Sequence, residues 1–144
     1  MKILVDADAC PVKEIIVRLA KANKIEVIML IDTSHVLNDG YSEVITVDKA
    51  RDSVDIALIN KTAKGDIVVT QDYGLAAMVL GKGALALNQN GMIYNKDNIE
   101  RLLFERHIGQ KVRRSGGRTS AIPKRTKEND SDFESVLSKL LLNS

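Results

Sequence analysis

Cysteine and aromatic residues are scarce in this chain, and their scarcity excludes several kinds of protein. Cys10 is the only cysteine among 144 residues, so neither a disulfide framework nor a cysteine-rich zinc site can form. Tryptophan is absent and aromatic residues make up 3% of the chain, which predicts an aliphatic core. The apolar runs are only a few residues long, so no membrane-spanning helix is predicted.

The amino terminus lacks the apolar region of a secretory signal. Residues 1–5 lead directly into Asp6 and Asp8, whereas a signal peptide needs a longer apolar stretch without acids. We therefore expect a cytoplasmic protein that folds as a single domain over residues 1–144. Cys10, near the start of a predicted helix, is expected to be a small buried residue rather than a nucleophile.

Positive charge is concentrated in one short stretch near the carboxyl terminus. Residues 111–127 hold seven basic residues and no acidic ones, whereas the rest of the chain holds 14 basic and 19 acidic residues. A basic segment on an acidic body suits a partner that carries phosphates, and a solvated linker is the alternative. Residues 114–128 are expected to be mobile. The candidate nucleic-acid-binding residues are Lys111, Arg113, Arg114, Arg118, Lys124, Arg125 and Lys127.

Strand and helix patterns alternate along the chain. Short apolar runs predict strands at residues 2–5, 26–31, 43–47, 67–70 and 84–87. Helical patterns and their end signals predict helices at about residues 12–23, 52–64, 73–80, 97–113 and 132–142. Alternation of this kind is typical of a three-layer α/β fold, with helices on both faces of a mostly parallel central sheet.

Aspartates follow two of the predicted strands. Asp6 ends the first strand, Asp8 lies two residues further on, and Asp72 follows the strand at residues 67–70. Ligands of parallel sheets bind beyond the carboxyl ends of the strands, so these three carboxylates converge if the two strands are neighbours. Because clustered carboxylates repel one another and Mg²⁺ and Mn²⁺ prefer oxygen ligands, the pattern predicts a divalent-cation site.

Helix capping is the alternative explanation for several of these acids. Asp8 and Asp72 each precede a predicted helix, where an aspartate is a common cap. Asp52 and Asp55 lie three residues apart at a helix start, where the helix dipole favours acids, although they could also complete a ring of metal ligands. Asp66 precedes a strand and is expected to be a turn or cap residue at the other edge of the sheet.

Long stretches of the chain resemble the YaiI/YqxD family of bacterial proteins. VDADACPV at residues 5–12, DSVD at residues 52–55 and GDIVVTQD at residues 65–72 match the family in order and spacing. The likeness covers nearly the whole chain. Further matching positions are Leu75-Ala76-Ala77, Lys82-Gly83-Ala84, Arg113 with Gly116-Gly117, and the closing segment around Phe133 and Leu137.

The resemblance implies a PIN-like fold, in which a ring of acids holds one or two Mg²⁺ or Mn²⁺ ions. Many relatives have a proline after the last aspartate of the motif, where this chain has Tyr73-Gly74-Leu75; this departure concerns the substrate pocket more than the metal. Carried over by position, the catalytic residues would be Asp6, Asp8 and Asp72, and the metal ligands would be Asp6, Asp8, Asp52, Asp55 and Asp72.

Three functions are compatible with these features. The leading hypothesis is metal-dependent hydrolysis of phosphodiesters in RNA, with the basic residues holding the nucleic-acid backbone. The second is a non-catalytic PIN-like domain that binds nucleic acid or protein. The third is a phosphatase of the haloacid dehalogenase type with Asp6 as nucleophile, but the chain matches only half of that signature because Cys10 stands at its fifth position.

Overall fold

The centre of the molecule is one parallel β-sheet. A computed structural model of the chain describes residues 1–32, 36–48, 53–114, 116 and 124–143. The strands are β1 (Lys2–Asp6), β2 (Glu26–Asp32), β3 (Glu43–Val47), β4 (Ile67–Val69) and β5 (Leu85–Leu87). They lie in the order β3-β2-β1-β4-β5, and every neighbouring pair is parallel.

Helices cover both faces of this sheet, which confirms the predicted three-layer α/β architecture. Buried side chains of α1 and α5 pack on one face, and those of α2 and α3 pack on the other, where α4 joins them. Within the described ranges, no helix is long and apolar enough to cross a membrane. The helices are α1 (Lys13–Asn23), α2 (Ser53–Lys61), α3 (Tyr73–Gly81), α4 (Lys96–Arg114) and α5 (Lys127–Leu142).

The central strands are apolar on both sides because both of their faces are covered. In β1, Ile3 and Val5 belong to the core beneath α1 and α5, whereas Leu4 belongs to the core beneath α2 and α3. Successive residues of a strand point to opposite faces, so Asp6 continues the row of Leu4 toward the α2 and α3 side. The strand thereby ends in a carboxylate at the rim of an aliphatic core.

The start of α5 differs from the prediction, because the helix begins at Lys127 and not at residue 132. Thr126 and Asn129 form a capping box, in which each side chain accepts a hydrogen bond from the backbone N–H of the other residue. The first turn is polar, so apolar spacing alone does not detect it. Arg114 and residues 127–128 are thus helical, whereas residues 115 and 117–123 of the segment predicted to be mobile lie outside the described residues.

The order of the strands creates a switch point between β1 and β4. From β1 the chain moves outward to β2 and β3 on one side, and after β4 it moves outward to β5 on the other side. The connections that leave β1 and β4 therefore diverge, which opens a crevice beyond the carboxyl ends of these two strands. Asp6 is the last residue of β1, Asp8 follows β1, and Asp72 follows β4.

Asp66 lies at the opposite edge of the sheet, as predicted. Its Oδ1 accepts the backbone N–H of Lys2 at 3.1 Å, and its Oδ2 accepts the backbone N–H of Ala63 at 2.8 Å and the Lys2 ammonium at 2.7 Å. Burial alone would raise the pKa of Asp66, but these donors outweigh it and lower the pKa below its usual value. The charged carboxylate therefore joins β1 to the turn before β4.

Replacing Asp66 with asparagine is expected to lower the free energy of unfolding by about 1–3 kcal/mol at pH 7, because one of the two acceptor oxygens becomes an NH2 group that faces part-buried donors and the charge that pairs with Lys2 is lost. The carboxylate has a lowered pKa in the folded state, so its stabilisation is present above its ordinary pKa and disappears as the pH falls through the folded value. Urea unfolding at pH 7 and at pH 3 measures this difference. The matched control is the exposed Glu100→Gln, and an equal loss at both pH values would contradict this role.

Candidate functional site

The register of β1 and β4 brings Asp6 next to Thr70. Val5 pairs with Val69, so Asp6 and Thr70 occupy the following position on the two strands. The Thr70 hydroxyl donates a hydrogen bond to Asp6 Oδ2 at 3.1 Å and accepts one from the backbone N–H of Asp72 at 3.0 Å. A single buried hydroxyl therefore connects the first and the last acid of the predicted set.

Asp72 is the N-cap of α3, as the capping alternative predicts. Its Oδ1 accepts the backbone N–H groups of Gly74 at 2.9 Å and Leu75 at 3.2 Å. The second oxygen, Oδ2, has no hydrogen bond to any described residue. The carboxylate is thus fixed through one oxygen, and the other remains open to a ligand.

Asp8 ties the turn after β1 to the end of β2. Both of its carboxylate oxygens lie within reach of the backbone N–H of Asp32, at 3.2 and 3.3 Å. The N-cap of α1 is Val12, so the interpretation of Asp8 as the cap of that helix is wrong. Asp8 instead holds the acidic turn against the neighbouring strand.

The charges of these acids act on one another. The pKa of Asp6 is raised, first by burial and then by the negative charges of Asp72 and Asp8, although the Thr70 hydrogen bond lowers it. A positive charge beside this half-buried carboxylate would oppose these effects and favour its charged form.

The complete set of predicted ligands does not lie within the described residues. Asp55 lies half-buried in the first turn of α2, and Asp52 lies outside the described residues. Among the described residues, no group of three or more His, Cys, Asp or Glu side chains is arranged to hold a metal ion. The described acids Asp6, Asp8 and Asp72 are therefore not gathered in the geometry of a metal site, and the ring of five aspartates stays a prediction.

Cys10 is buried beside Asp6, as expected for a small residue near a helix start. Burial raises the pKa of its thiol, which a backbone hydrogen bond and the nearby Lys13 lower only in part. A thiol held mostly protonated is a poor nucleophile at neutral pH. Its position favours packing over catalysis.

The predicted basic residues fall into groups that differ in their surroundings. Lys111, Lys124 and Lys127 are exposed, whereas Arg125 is partly buried and hydrogen-bonded within the chain. Arg113 and Arg114 lie in the last turn of α4, and Arg118 lies outside the described residues.

Several residues at this edge have no place in the set predicted from the sequence. Asp32 ends β2, next to Asp8, and the pattern that selected Asp6 (an acid after an apolar run) also detects Asp32. Tyr94 donates its hydroxyl hydrogen to the carbonyl oxygen of Thr70 at 3.1 Å, and its ring contacts Tyr73 edge-on with centroids 6.2 Å apart. This contact spans 24 positions of the chain, so no local pattern predicts it.

The fold defines a doubly wound α/β protein in which Asp6, Asp8 and Asp72 lie at the carboxyl ends of β1 and β4, at the topological switch point. The family model described as "Uncharacterized BCR, YaiI/YqxD family" matches residues 4–143. The chain therefore belongs to the YaiI/YqxD family. No solved structure matches the chain.

Three relatives, each called UPF0178 protein, are similar to this chain over nearly their whole length. The protein from Ruminiclostridium cellulolyticum is 73% identical over 137 residues, which cover 95% of this chain and 90% of the relative. The protein from Lachnoclostridium phytofermentans is 59% identical over 144 residues (98% and 97%). The protein from Clostridium kluyveri is 56% identical over 143 residues (99% and 94%). Their names state no activity, so the function has to be argued from the site.

Proposed function

We propose that this protein is a metal-dependent hydrolase of phosphodiester bonds that acts on RNA in the cytoplasm. The observation that supports this most strongly is the state of Asp6, a half-buried carboxylate at the switch point whose pKa is raised by burial and by the charges of Asp72 and Asp8. Raised carboxylate pKa values of this kind are enriched at functional sites.

The chemistry of the donors fits a hard divalent cation. Asp6 Oδ1 and Asp72 Oδ2 have no hydrogen bond to any described residue, and carboxylate oxygens are preferred ligands of Mg²⁺ and Mn²⁺. Asp6 and Asp72 would hold the ion, and Asp8, Asp52 and Asp55 would supply further oxygens or hold water. A bound ion of this kind supplies a water of lowered pKa and stabilises negative charge on the attacked phosphate.

Neighbouring groups fix one carboxylate oxygen of Asp6 and one of Asp72. Thr70 fixes one oxygen of Asp6 and leaves the other free, while the start of α3 fixes Asp72 in the same way. The exposed Lys124 and Lys127 would bind the phosphate backbone by charge alone. Aromatic residues for base stacking are scarce, so we expect little preference for base sequence.

A binding domain without catalysis is the second candidate. It is favoured by the hydrogen bonds of Asp8 and Asp72 to backbone N–H groups, because acids with structural partners need no metal to explain them. Under this alternative the protein binds RNA without cleaving it.

The deciding experiment measures cleavage of end-labelled single-stranded RNA with Mn²⁺, comparing the wild type with Asp6→Asn and with the control Glu100→Gln. We expect cleavage by the wild type and by the control, and none by Asp6→Asn or in the presence of a chelator. RNA binding without cleavage in the wild type would overturn the hydrolase in favour of the binding domain.

Neutralising Lys124 and Lys127 together by Lys→Gln is expected to weaken RNA binding and to reduce its salt dependence. On single strands each phosphate contact adds about 0.7 to the slope of log K against log salt, so the slope should become shallower by about 1.4. The matched control neutralises Lys61 and Lys64, which are exposed near the opposite edge of the sheet. Equal slopes for both double variants, measured by fluorescence anisotropy, would remove these two lysines from the interface.

A further inference from the structure

The guanidinium group of Arg125 forms hydrogen bonds with three other residues of the chain. Nε and Nη2 contact Asp130 Oδ1 at 2.8 and 2.7 Å, Nη1 donates to Asn90 Oδ1 at 2.7 Å, and Nη2 donates to the Gln89 carbonyl oxygen at 2.8 Å. A planar group with fixed donors suits several acceptors at once, which a lysine cannot reproduce. Arg125 thus joins the start of α5 to the turn after β5.

A second contact holds the same turn against α5. Gly91 has a φ of +88°, and a Cβ atom there would lie 2.9 Å from the carbonyl oxygen of Asp132. The backbone of the turn and the backbone of α5 are therefore in direct contact. Side chains at position 91 are excluded both by conformation and by space.

The turn carries Gln89 to the side of Asp6. Gln71 donates from its amide nitrogen to the Gln89 side-chain oxygen and, at 3.1 Å, to the carbonyl oxygen of Ala9. Both amides line a cavity of about 10 Å³, together with Asp6, Cys10 and Thr70. A space of this size holds about one water molecule, so neither a phosphate group nor a hydrated cation fits while the amides stay joined.

We propose that Arg125 is a positioning residue that keeps the cavity beside Asp6 closed. It fixes residues 89–90 so that the side chain of Gln89 meets that of Gln71, and a ligand group larger than water enters this side of the site only when the pair separates. This assigns Arg125 a role other than the phosphate contact predicted from its charge. The proposal rests on the proposed function only for the identity of the entering group, a phosphate of the nucleic-acid backbone.

Cys10 gives a direct measure of opening, because it is the only thiol of the chain and lines this small cavity. The experiment measures the rate of its reaction with N-ethylmaleimide in the full chain without metal or RNA. We expect Arg125→Gln and Arg125→Lys to react at least about tenfold faster than the wild type, because hydrogen bonds from a charged group are lost. The exposed Lys139→Gln, which also removes one positive charge and lies in α5, should react at the wild-type rate.

Electrostatics alone predicts the opposite result. Burial raises the pKa of the Cys10 thiol, and the cation of Arg125 lowers it, so removing that cation reduces the thiolate fraction and slows the reaction. A faster reaction of Cys10 therefore shows that N-ethylmaleimide reaches the thiol more easily. A rate that stays constant in low urea reports local opening, whereas a rate that rises steeply with urea reports global unfolding.

Gly91→Ala provides an independent variant, because it separates the turn from α5 without changing any charge. Acceleration in Gly91→Ala and in both Arg125 variants, constant in low urea, supports the proposal. Rates within twofold of the wild type, or acceleration that follows global unfolding, overturn it. Since no metal or RNA is present, this outcome is separate from that of the cleavage assay.

Discussion

Asp6→Asn is expected to make the folded protein more stable at pH 7 and to abolish divalent-cation binding. Because its pKa is raised in the folded state, charged Asp6 is unfavourable to folding once the pH exceeds its ordinary pKa. Asparagine keeps an oxygen for the Thr70 hydroxyl and removes the charge. The gain should be about 0.5–2 kcal/mol, the range common for single stabilising substitutions.

The pH dependence identifies the cause of this gain. Below the ordinary pKa of Asp6 the carboxyl is protonated in both states, so wild type and Asp6→Asn should unfold alike near pH 3. The difference should grow as the pH rises above the ordinary pKa and should be complete above the raised folded pKa. Denaturant titrations at pH 3 and pH 7 measure it. Loss of stability in Asp6→Asn at pH 7 would mean that Asp6 is a structural residue.

The functional loss in Asp6→Asn should be large. Even changes to residues that only orient metal ligands cost 10–100-fold in affinity or activity, so loss of a central ligand should exceed about 100-fold. In the wild type, a saturating cation should restore the missing stability, by about 2.7 kcal/mol at 100 times its dissociation constant. Thermal unfolding with and without Mn²⁺ compares the two proteins directly.

Asp72→Asn is expected to separate capping from metal binding. Asparagine is as good an N-cap as aspartate, so α3 should keep its hydrogen bonds from Gly74 and Leu75. Its charge is lost, and with it the ligand for the cation and one cause of the raised pKa of Asp6. Cation affinity should fall by more than about 100-fold, while the free energy of unfolding changes by less than about 0.5 kcal/mol.

Asp72→Ala is the matched comparison, because it removes the cap together with the charge. It should cost about 1 kcal/mol more in unfolding free energy than Asp72→Asn, with an equal loss of cation affinity. If cation binding survives in Asp72→Asn and falls only in Asp72→Ala, then Asp72 is a cap alone.

The architecture was predictable because most of its strands and helices have a recognisable local sequence pattern. Buried parallel strands have continuous apolar sequences, and Ile67 to Val69 is such a strand. The alternation of such strands with helices then predicts the three layers. The start of α5 was not predictable from apolar spacing, since its first turn consists of polar residues held by Thr126 and Asn129.

The positions of Asp6 and Asp72 at the ends of strands were predictable for the same local reason, whereas the side chains that hold them were not. Asp6 and Asp72 end or follow apolar strands, and the rule that ligands bind at the carboxyl ends of strands selects them. The link through Thr70 depends on β1 and β4 being neighbours in one register, across 64 positions of the chain. The contacts of Arg125 with Gln89 and Asn90 depend on how α5 packs against the turn after β5. The local sequence shows only a basic residue in a basic segment, which predicts a phosphate contact.

Calorimetric titration of Mn²⁺ and Mg²⁺ into the wild type and into the Asp6→Asn/Asp72→Asn double variant tests the proposed cation site most directly. We expect saturable binding by the wild type and no binding by the double variant, whose fold should be intact by circular dichroism. Absence of binding to the wild type at millimolar metal, or equal binding to both proteins, would contradict a cation site at the ends of β1 and β4.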